Sequence, residues 1–101
     1  MSVFSVSFRL EYDNNYSARW DSIADKIKAI ATNGKSWSEM TAQYVFESTK
    51  TADSIANEIA YLTKFDSKRD SLFVLNLSFN LYETRGKFSN LSTLQQIIAK
   101  R

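Results

Sequence analysis

The segment VFSVSFRL, residues 3–10, decides the fold of this chain. Apolar residues alternate in it with small and polar ones, so an extended chain has one apolar side and one polar side. This alternation predicts a β-strand with one face in the core. The polar side ends at Arg9. The apolar side carries Phe4, Val6, Phe8 and Leu10.

Helical patterns follow this strand at two places. Apolar residues at steps of three and four predict a helix capped by Ser17 and ended by Asn33-Gly34. A second helix is capped by Thr49 or Thr51 and runs to about Thr63. We therefore expect two amphipathic helices, separated by about twenty residues.

Extended patterns fill the intervals between the helices. They predict a short strand at 37–40, a second at 43–47 and a central strand at 72–79. Residues 81–88 are either an edge strand or an irregular tail with a bend at Gly86. Ser89 caps a last helix, whose predicted buried face consists of Leu91, Leu94, Ile97 and Ile98.

The resulting order is β-α-β-β-α-β with a C-terminal helix. It predicts an α+β fold of the ferredoxin-like kind, an antiparallel sheet with two helices on one face. We expect this domain to span residues 1–83 and a basic extension with a short helix to span 84–101. The second face of the sheet needs a cover, which is either the C-terminal helix or a second subunit.

Composition excludes several kinds of chemistry. The 101 residues include no Cys, no His and only two Gly. The chain therefore lacks the usual ligands of zinc, haem iron and copper, and it has no Ser-His-Asp triad, no disulfide and no glycine-rich phosphate loop. Any catalysis has to rest on other side chains or on a metal bound by carboxylates. We expect a protein that binds rather than catalyses and that carries no cofactor.

Charge is distributed unevenly along the chain. Residues 1–83 hold nine basic and eleven acidic side chains, whereas 84–101 hold four basic ones and no acid. This asymmetry is typical of contact with nucleic acid or an acidic partner, although basic residues also suit the end of a helix. Our candidates for phosphate contacts are Arg9, Arg85, Lys87, Lys100 and Arg101.

Two acidic pairs are the weaker candidates for metal binding. Glu11 and Asp13 follow the first strand, and residues two apart on a strand share a face. They can hold a hard cation such as Mg²⁺, but a turn with solvated charges is the interpretation that we favour. Asp66 and Asp70 bracket Lys68-Arg69, which indicates either a phosphate or metal loop or a solvated, salt-bridged connection.

Two further side chains have alternative interpretations. Arg9 either meets a phosphate backbone or pairs with an acid on a neighbouring strand. Trp37 follows the expected end of a helix, and we expect it to be an exposed aromatic of an interface.

Four features resemble one family of small proteins. They are VSFRL at 6–10, Tyr16, QYVF at 43–46 and FDSKRDSLFV at 65–74. Together they are similar to proteins related to the CRISPR-associated adaptation endonuclease-like subunit, including the SinR-like and VapD-like groups, over about residues 3–80. The resemblance implies a ferredoxin-like fold and a homodimer.

The same resemblance implies a metal site that this chain departs from. Nuclease members of the family carry an acidic metal ligand at the end of the first strand, and here Arg9 stands at that position. A guanidinium repels Mg²⁺ rather than binding it. The resemblance therefore implies the fold without the nuclease activity.

Three functions follow from these observations, in order of preference. The first is a non-catalytic dimer that binds nucleic acid. The second is a protein-interaction module, such as an inhibitor or regulatory partner from a mobile-element or toxin–antitoxin-like system. The third is a metal-dependent nuclease, which needs Mg²⁺. We expect a cytoplasmic location and no membrane partner, since no apolar run approaches the roughly 20 residues of a membrane span.

Overall fold

A computed structural model describes the whole chain, residues 1–101, as an α+β fold. In chain order its elements are β1 (Ser2–Arg9), α1 (Tyr16–Ile30), β2 (Ser36–Trp37), β3 (Gln43–Ser48), α2 (Ala52–Leu62), β4 (Ser71–Asn76), β5 (Leu81–Gly86) and α3 (Leu91–Ile98). The five strands form one antiparallel sheet in the order β2-β3-β1-β4-β5. The first strand therefore lies at the centre of the sheet.

One face of the sheet and the two longer helices enclose the hydrophobic core. The alternation predicted for β1 is confirmed, because Phe4 and Val6 are fully buried and Arg9 is exposed. Burial of an aliphatic or aromatic side chain contributes about 1.5–3 kcal/mol, so this layer is the main source of folding free energy. The helices contribute Ile23, Ile27 and Ile30 from α1 and Ile55 and Ile59 from α2.

The opposite face of the sheet, called the open face below, is partly covered by the end of the chain. The covering segment is residues 87–101. At its start, the Ser71 hydroxyl of β4 donates to the Lys87 carbonyl. The Arg101 guanidinium lies 5.7 Å from the centre of the Tyr82 ring of β5 where it finishes. Both contacts lie on the open face, since Ser71 and Tyr82 alternate with the core residues of their strands. α3 therefore lies over the β4–β5 half.

The other half of the open face, formed by β1, β3 and β2, has no such cover. Val3 of β1 and Trp37 of β2 are 39% and 43% exposed. With Val45 they line a cleft of about 560 Å³. The expectation that Trp37 is exposed is confirmed.

The predicted strands shift in three places. The bounds expected for the short strand, 37–40, are wrong, since the strand covers only Ser36 and Trp37. Residues 38–42 form the turn that leads into β3, and Ala42 has a φ of +62°. The strand expected at 72–79 ends at Asn76, whose side chain accepts N–H groups of the following turn. The segment 81–88 is an edge strand as far as Gly86, so β5 continues across the boundary expected after residue 83.

The predicted helix caps are correct only for α2. Thr51 accepts the Ser54 N–H at 3.1 Å, as an N-cap threonine does. α1 starts at Tyr16 rather than after a Ser17 cap, since Asp13 already forms the preceding turn by accepting the Asn15 N–H. α3 starts after Asn90, not at a Ser89 cap.

The face expected to be buried in α3 is only partly enclosed. Leu91, Leu94 and Ile98 are half-buried, whereas Ile97 is 62% exposed, and no side chain of this helix is fully buried. Among the helices, none is long and apolar enough to cross a membrane.

Candidate functional site

A polar cleft of about 340 Å³ lies where β1 ends, β4 begins and the chain leaves β5. We call it the strand-end cleft. Three separate stretches of sequence meet there, so its composition depends on the register of the sheet. Its lining residues are Arg9, Glu11, Arg69, Ser71, Lys87, Phe88 and Ser89.

Asp70 holds the walls of the strand-end cleft together. Its side chain is completely buried just before β4. One carboxylate oxygen accepts the Glu11 N–H at 2.9 Å and the other accepts the Asp66 N–H at 2.7 Å. The Asp70 backbone carbonyl accepts the Lys87 N–H at 2.7 Å. One residue thus joins the end of β1, the loop before β4 and the segment after β5.

Arg19 of α1 neutralises this buried carboxylate. Its guanidinium, also buried, pairs with Asp70 and donates to the backbone carbonyls of Lys64 (3.2 Å) and Glu11 (2.9 Å). A buried charge is tolerated only when it is paired and its hydrogen-bonding groups are satisfied, and both conditions hold here. The Arg19–Asp70 pair is therefore the structural support beneath the cleft.

Gly86 allows the chain to leave β5 beside Asp70. Its φ is +97°, and a Cβ at this position would overlap the Asp70 carbonyl oxygen. Only glycine permits so close an approach with this backbone conformation. The approach brings Lys87 within reach of Asp70 and places its carbonyl 2.5 Å from the Ser71 hydroxyl.

Arg69 forms one rim of the cleft in a small ionic network. It contacts Asp13 and Asp66, each at 2.9 Å. The hydrogen bond from Arg69 keeps the pKa of Asp13 below its ordinary value, and the Lys68 N–H together with Arg69 does the same for the pKa of Asp66. In return, the hydrogen bonds that Arg69 donates raise its pKa, the bond to Asp13 more than the bond to Asp66. Arg69 is thus a fixed positive charge.

Arg9 and Lys87 are the uncommitted positive charges of the cleft. Both are exposed, and neither takes part in an ion pair. Arg9 faces Ser71 across the β1–β4 ladder, so the alternative that it pairs with an acid on a neighbouring strand is wrong. Arg69 is already paired with Asp13 and Asp66, so Arg9 and Lys87 are the two charges of the lining that remain available to an anionic ligand.

The other three predicted phosphate contacts lie elsewhere. Arg85 points to the helical face of the sheet, where Asp53 and Glu83 each lie 2.8 Å from its guanidinium. The hydrogen bond to Glu83, and to a smaller extent the one to Asp53, raises the pKa of Arg85. Lys100 and Arg101 lie at the opposite end of β5, where the Arg101 Nε donates to the Asn80 carbonyl at 3.0 Å. The five predicted residues therefore do not form one surface.

Arginine side chains occupy most of the acidic candidates for metal binding. Asp13 is bound by Arg69 and lies 3.5 Å from Arg19, while the Glu11 side chain is exposed. The partly exposed Asp66–Arg69 ion pair fits the solvated, salt-bridged connection, whereas Asp70 is buried against Arg19. No group of three or more acidic side chains lies close enough together to hold a metal ion.

Sequence reasoning missed the role of Arg19, although a signal for it exists. Arg19 lies on the same helical stripe as Ile23, Ile27 and Ile30, at steps of four, four and three. A charge on an apolar stripe indicates a buried partner of opposite charge. Asp70, directly before an apolar strand, is that partner.

Comparison of the chain with protein-family models, curated proteins and solved structures finds no match. Function is therefore inferred from the chemistry of the strand-end cleft.

Proposed function

We propose that the chain is a small, non-catalytic, cytoplasmic protein that binds nucleic acid at the strand-end cleft. The observation that carries the proposal is that Arg9 and Lys87, distant in sequence, share one polar cleft and have no acidic partners. Phosphate groups supply the negative charge that such a pair attracts.

The cleft also has groups suited to the other parts of a nucleotide. Arg9 offers a planar guanidinium, which matches two phosphate oxygens, and Lys87 offers a mobile point charge. The Ser71 and Ser89 hydroxyls lie beside them. Phe88 is half-buried in the same lining, and an aromatic side chain beside a cationic groove is a stacking surface for an unpaired base. We therefore propose a single-stranded ligand.

The absence of catalysis in this proposal rests on Arg9 and Asp13. Arg9 occupies the end of β1, where the resemblance places an acidic metal ligand, and the Asp13 carboxylate is already bound by Arg69. Cleavage of an oligonucleotide that depends on Mg²⁺ would contradict this part of the proposal.

The proposal includes a ferredoxin-like arrangement and the suggested family. Support comes from the strand order β2-β3-β1-β4, with each neighbouring pair antiparallel, and from the helices that follow β1 and β3. β5 extends the sheet beyond this set. The homodimer that the resemblance implies would cover the free half of the open face around Val3 and Trp37, and light scattering of the purified chain tests it.

Fluorescence anisotropy with labelled single-stranded oligonucleotides, at two salt concentrations, tests the binding site. We expect binding that weakens as salt rises, with a slope of about 0.7 per phosphate contacted. Arg9→Ala and Lys87→Ala should each remove one such contact and lower both the affinity and the salt slope.

Two matched variants serve as controls for charge and position. Lys28→Ala removes an exposed positive charge near the far end of α1, and Arg85→Ala removes one that is held by Asp53 and Glu83. Neither should change the salt slope. Equal losses in all four variants, or no binding at low salt, would refute the strand-end cleft as the site.

A protein-interaction module is the second candidate function. The cleft lined by Val3, Trp37 and Val45 favours it, because apolar and aromatic side chains with a polar rim are typical of protein interfaces. Recovery of a defined protein partner that is lost on Trp37→Ala, while Arg9→Ala keeps it, would favour this candidate over the first.

A further inference from the structure

The turn between β4 and β5 displays large apolar side chains to solvent. Leu77, Phe79 and Leu81 are 50%, 67% and 58% exposed within five consecutive residues. Residues 77–80 form a tight turn at the end of the sheet, with Asn80 at φ +57°. A hairpin tip normally carries polar residues, so this apolar tip requires an explanation.

Positive charge is fixed beside this tip by the end of the chain. The Arg101 guanidinium donates to the carbonyl of Asn80, within the turn itself, and lies over the Tyr82 ring. Lys100 is exposed next to it and makes no ion pair. Ile97 lies one helical turn before Arg101 and adds a further exposed apolar side chain. No acid occurs within residues 76–82 or 84–101.

We propose that this apolar tip, Leu77, Phe79, Leu81 and Ile97 with Lys100 and Arg101 at its rim, docks end-on on an anionic lipid surface, with Leu81 on the helical side of the hairpin and Ile97 on the side of the open face. The apolar side chains enter the boundary between head groups and acyl chains, and the two cations meet the lipid phosphates. Tyr82 is suited to the head-group level, because its ring is apolar and its hydroxyl is polar.

Charge complementarity and size favour a lipid surface over a second copy of this chain. Two apposed copies would bring Lys100 and Arg101 of each close to those of the other. Four partly exposed side chains also offer only a few hundred Å² of apolar surface, well below the roughly 800 Å² per partner of a stable interface. A peripheral contact of this kind needs no membrane-spanning helix, so it would replace the expectation of no membrane partner, which rested on the lack of a spanning segment.

This site is independent of the strand-end cleft. The tip lies beside Asn80, at the start of β5, whereas the cleft lies beyond Gly86, at its other end. The two proposals can therefore fail separately.

Co-sedimentation of the full chain with vesicles tests the proposal. Vesicles of phosphatidylcholine alone are compared with vesicles that also contain phosphatidylserine. We expect binding to the anionic vesicles only, and weaker binding at higher salt. Phe79→Ser should lower the partition coefficient about tenfold or more, and Lys100→Ala about fivefold.

The matched control is Tyr61→Ser, which removes an equally exposed aromatic near the end of α2. It should leave partitioning unchanged, and circular dichroism should show both serine variants folded. Equal binding to both kinds of vesicle, no binding, or an equal loss in Tyr61→Ser would overturn the proposal. Self-association without lipid that Phe79→Ser abolishes would assign the tip to a second copy instead.

Discussion

Asp70 accepts hydrogen bonds at both carboxylate oxygens and at its backbone carbonyl, and the donors come from three other parts of the chain. Removing a buried carboxylate with this many partners costs more stability than removing a carboxylate from an exposed ion pair. Removing one partner of a buried pair leaves the other charge without compensation, which costs far more than losing a pair at the surface.

Asp70→Asn should therefore lower the free energy of unfolding by up to about 3–5 kcal/mol, because the buried Arg19 keeps only the partly exposed Asp13, at 3.5 Å, as a counter-charge. Urea denaturation followed by circular dichroism measures the change. Asp66→Asn is the matched control, since its ion pair with Arg69 is partly exposed and should contribute far less to the free energy of unfolding than a buried pair. Similar losses in the two variants would show that Asp70 has no special role.

The ion pairs of Arg69 with Asp13 and Asp66 should make the free energy of unfolding fall as the pH falls. Arg69 lowers the pKa of Asp13 and of Asp66, so its stabilisation is complete well above their ordinary value of 3.8 and is lost as the pH falls through the lowered values. Arg69→Gln should therefore destabilise the protein at neutral pH, and the difference from wild type should shrink in acid.

Denaturation at several pH values measures this effect. Arg9→Gln provides the comparison, because Arg9 has no acidic partner and its effect should not vary with pH. A difference between Arg69→Gln and wild type that grows on acidification would contradict the assignment.

At the scale of secondary structure, sequence patterns predict elements well where packing follows the local period. β1 and α2 are confirmed because their apolar faces meet the same core. The predicted bounds of β2 are wrong because the chain turns towards β3 before residue 40. In that turn Ala42 adopts a left-handed conformation, which sequence patterns assign to glycine or asparagine. The predicted face of α3 is only half-buried, and Ile97 is exposed, because periodicity shows which side of a helix is apolar, not how fully a partner encloses it.

Gly86 determines how β5 joins the rest of the structure. Gly86→Ala should destabilise the protein by more than about 1 kcal/mol and also weaken oligonucleotide binding, because the Cβ would push the Lys87 segment away from Asp70. Gly34→Ala is the control, since a Cβ there meets no atom closer than 3.6 Å although φ is also positive. Denaturation and anisotropy measure the two effects. Unchanged oligonucleotide binding in Gly86→Ala would show that Gly86 does not position the residues of the strand-end cleft.

At the scale of the whole molecule, the candidate site is a product of long-range pairing. Arg9 lies opposite Ser71, and Ser71 binds the carbonyl of Lys87, so three distant positions converge. Sequence reasoning selected Arg9 from its place on the polar side of the first strand and Lys87 from the charge of residues 84–101, and grouped them with Arg85, Lys100 and Arg101. It could not separate these residues, since strand register decides which charges share a surface.

Stability should differ between the layers of the molecule. The core strands are paired on both sides and enclosed by α1 and α2, whereas α3 has no buried side chain. Native-state hydrogen exchange should show amides of β1 and β4 opening only with global unfolding and amides of α3 exchanging at much lower free energy. Equal protection of α3 and α2 would mean that α3 is held more firmly than its contacts indicate.

The central position of β1 affects how the chain folds during synthesis. Phe4 pairs with Phe46 on one side and with Asn76 on the other, so β1 leaves the ribosome long before either neighbour exists. Until β4 emerges, one edge of this apolar strand is open to pairing with other nascent chains. The domain should therefore depend on slow long-range closure, or on a chaperone, until residue 76 has been translated.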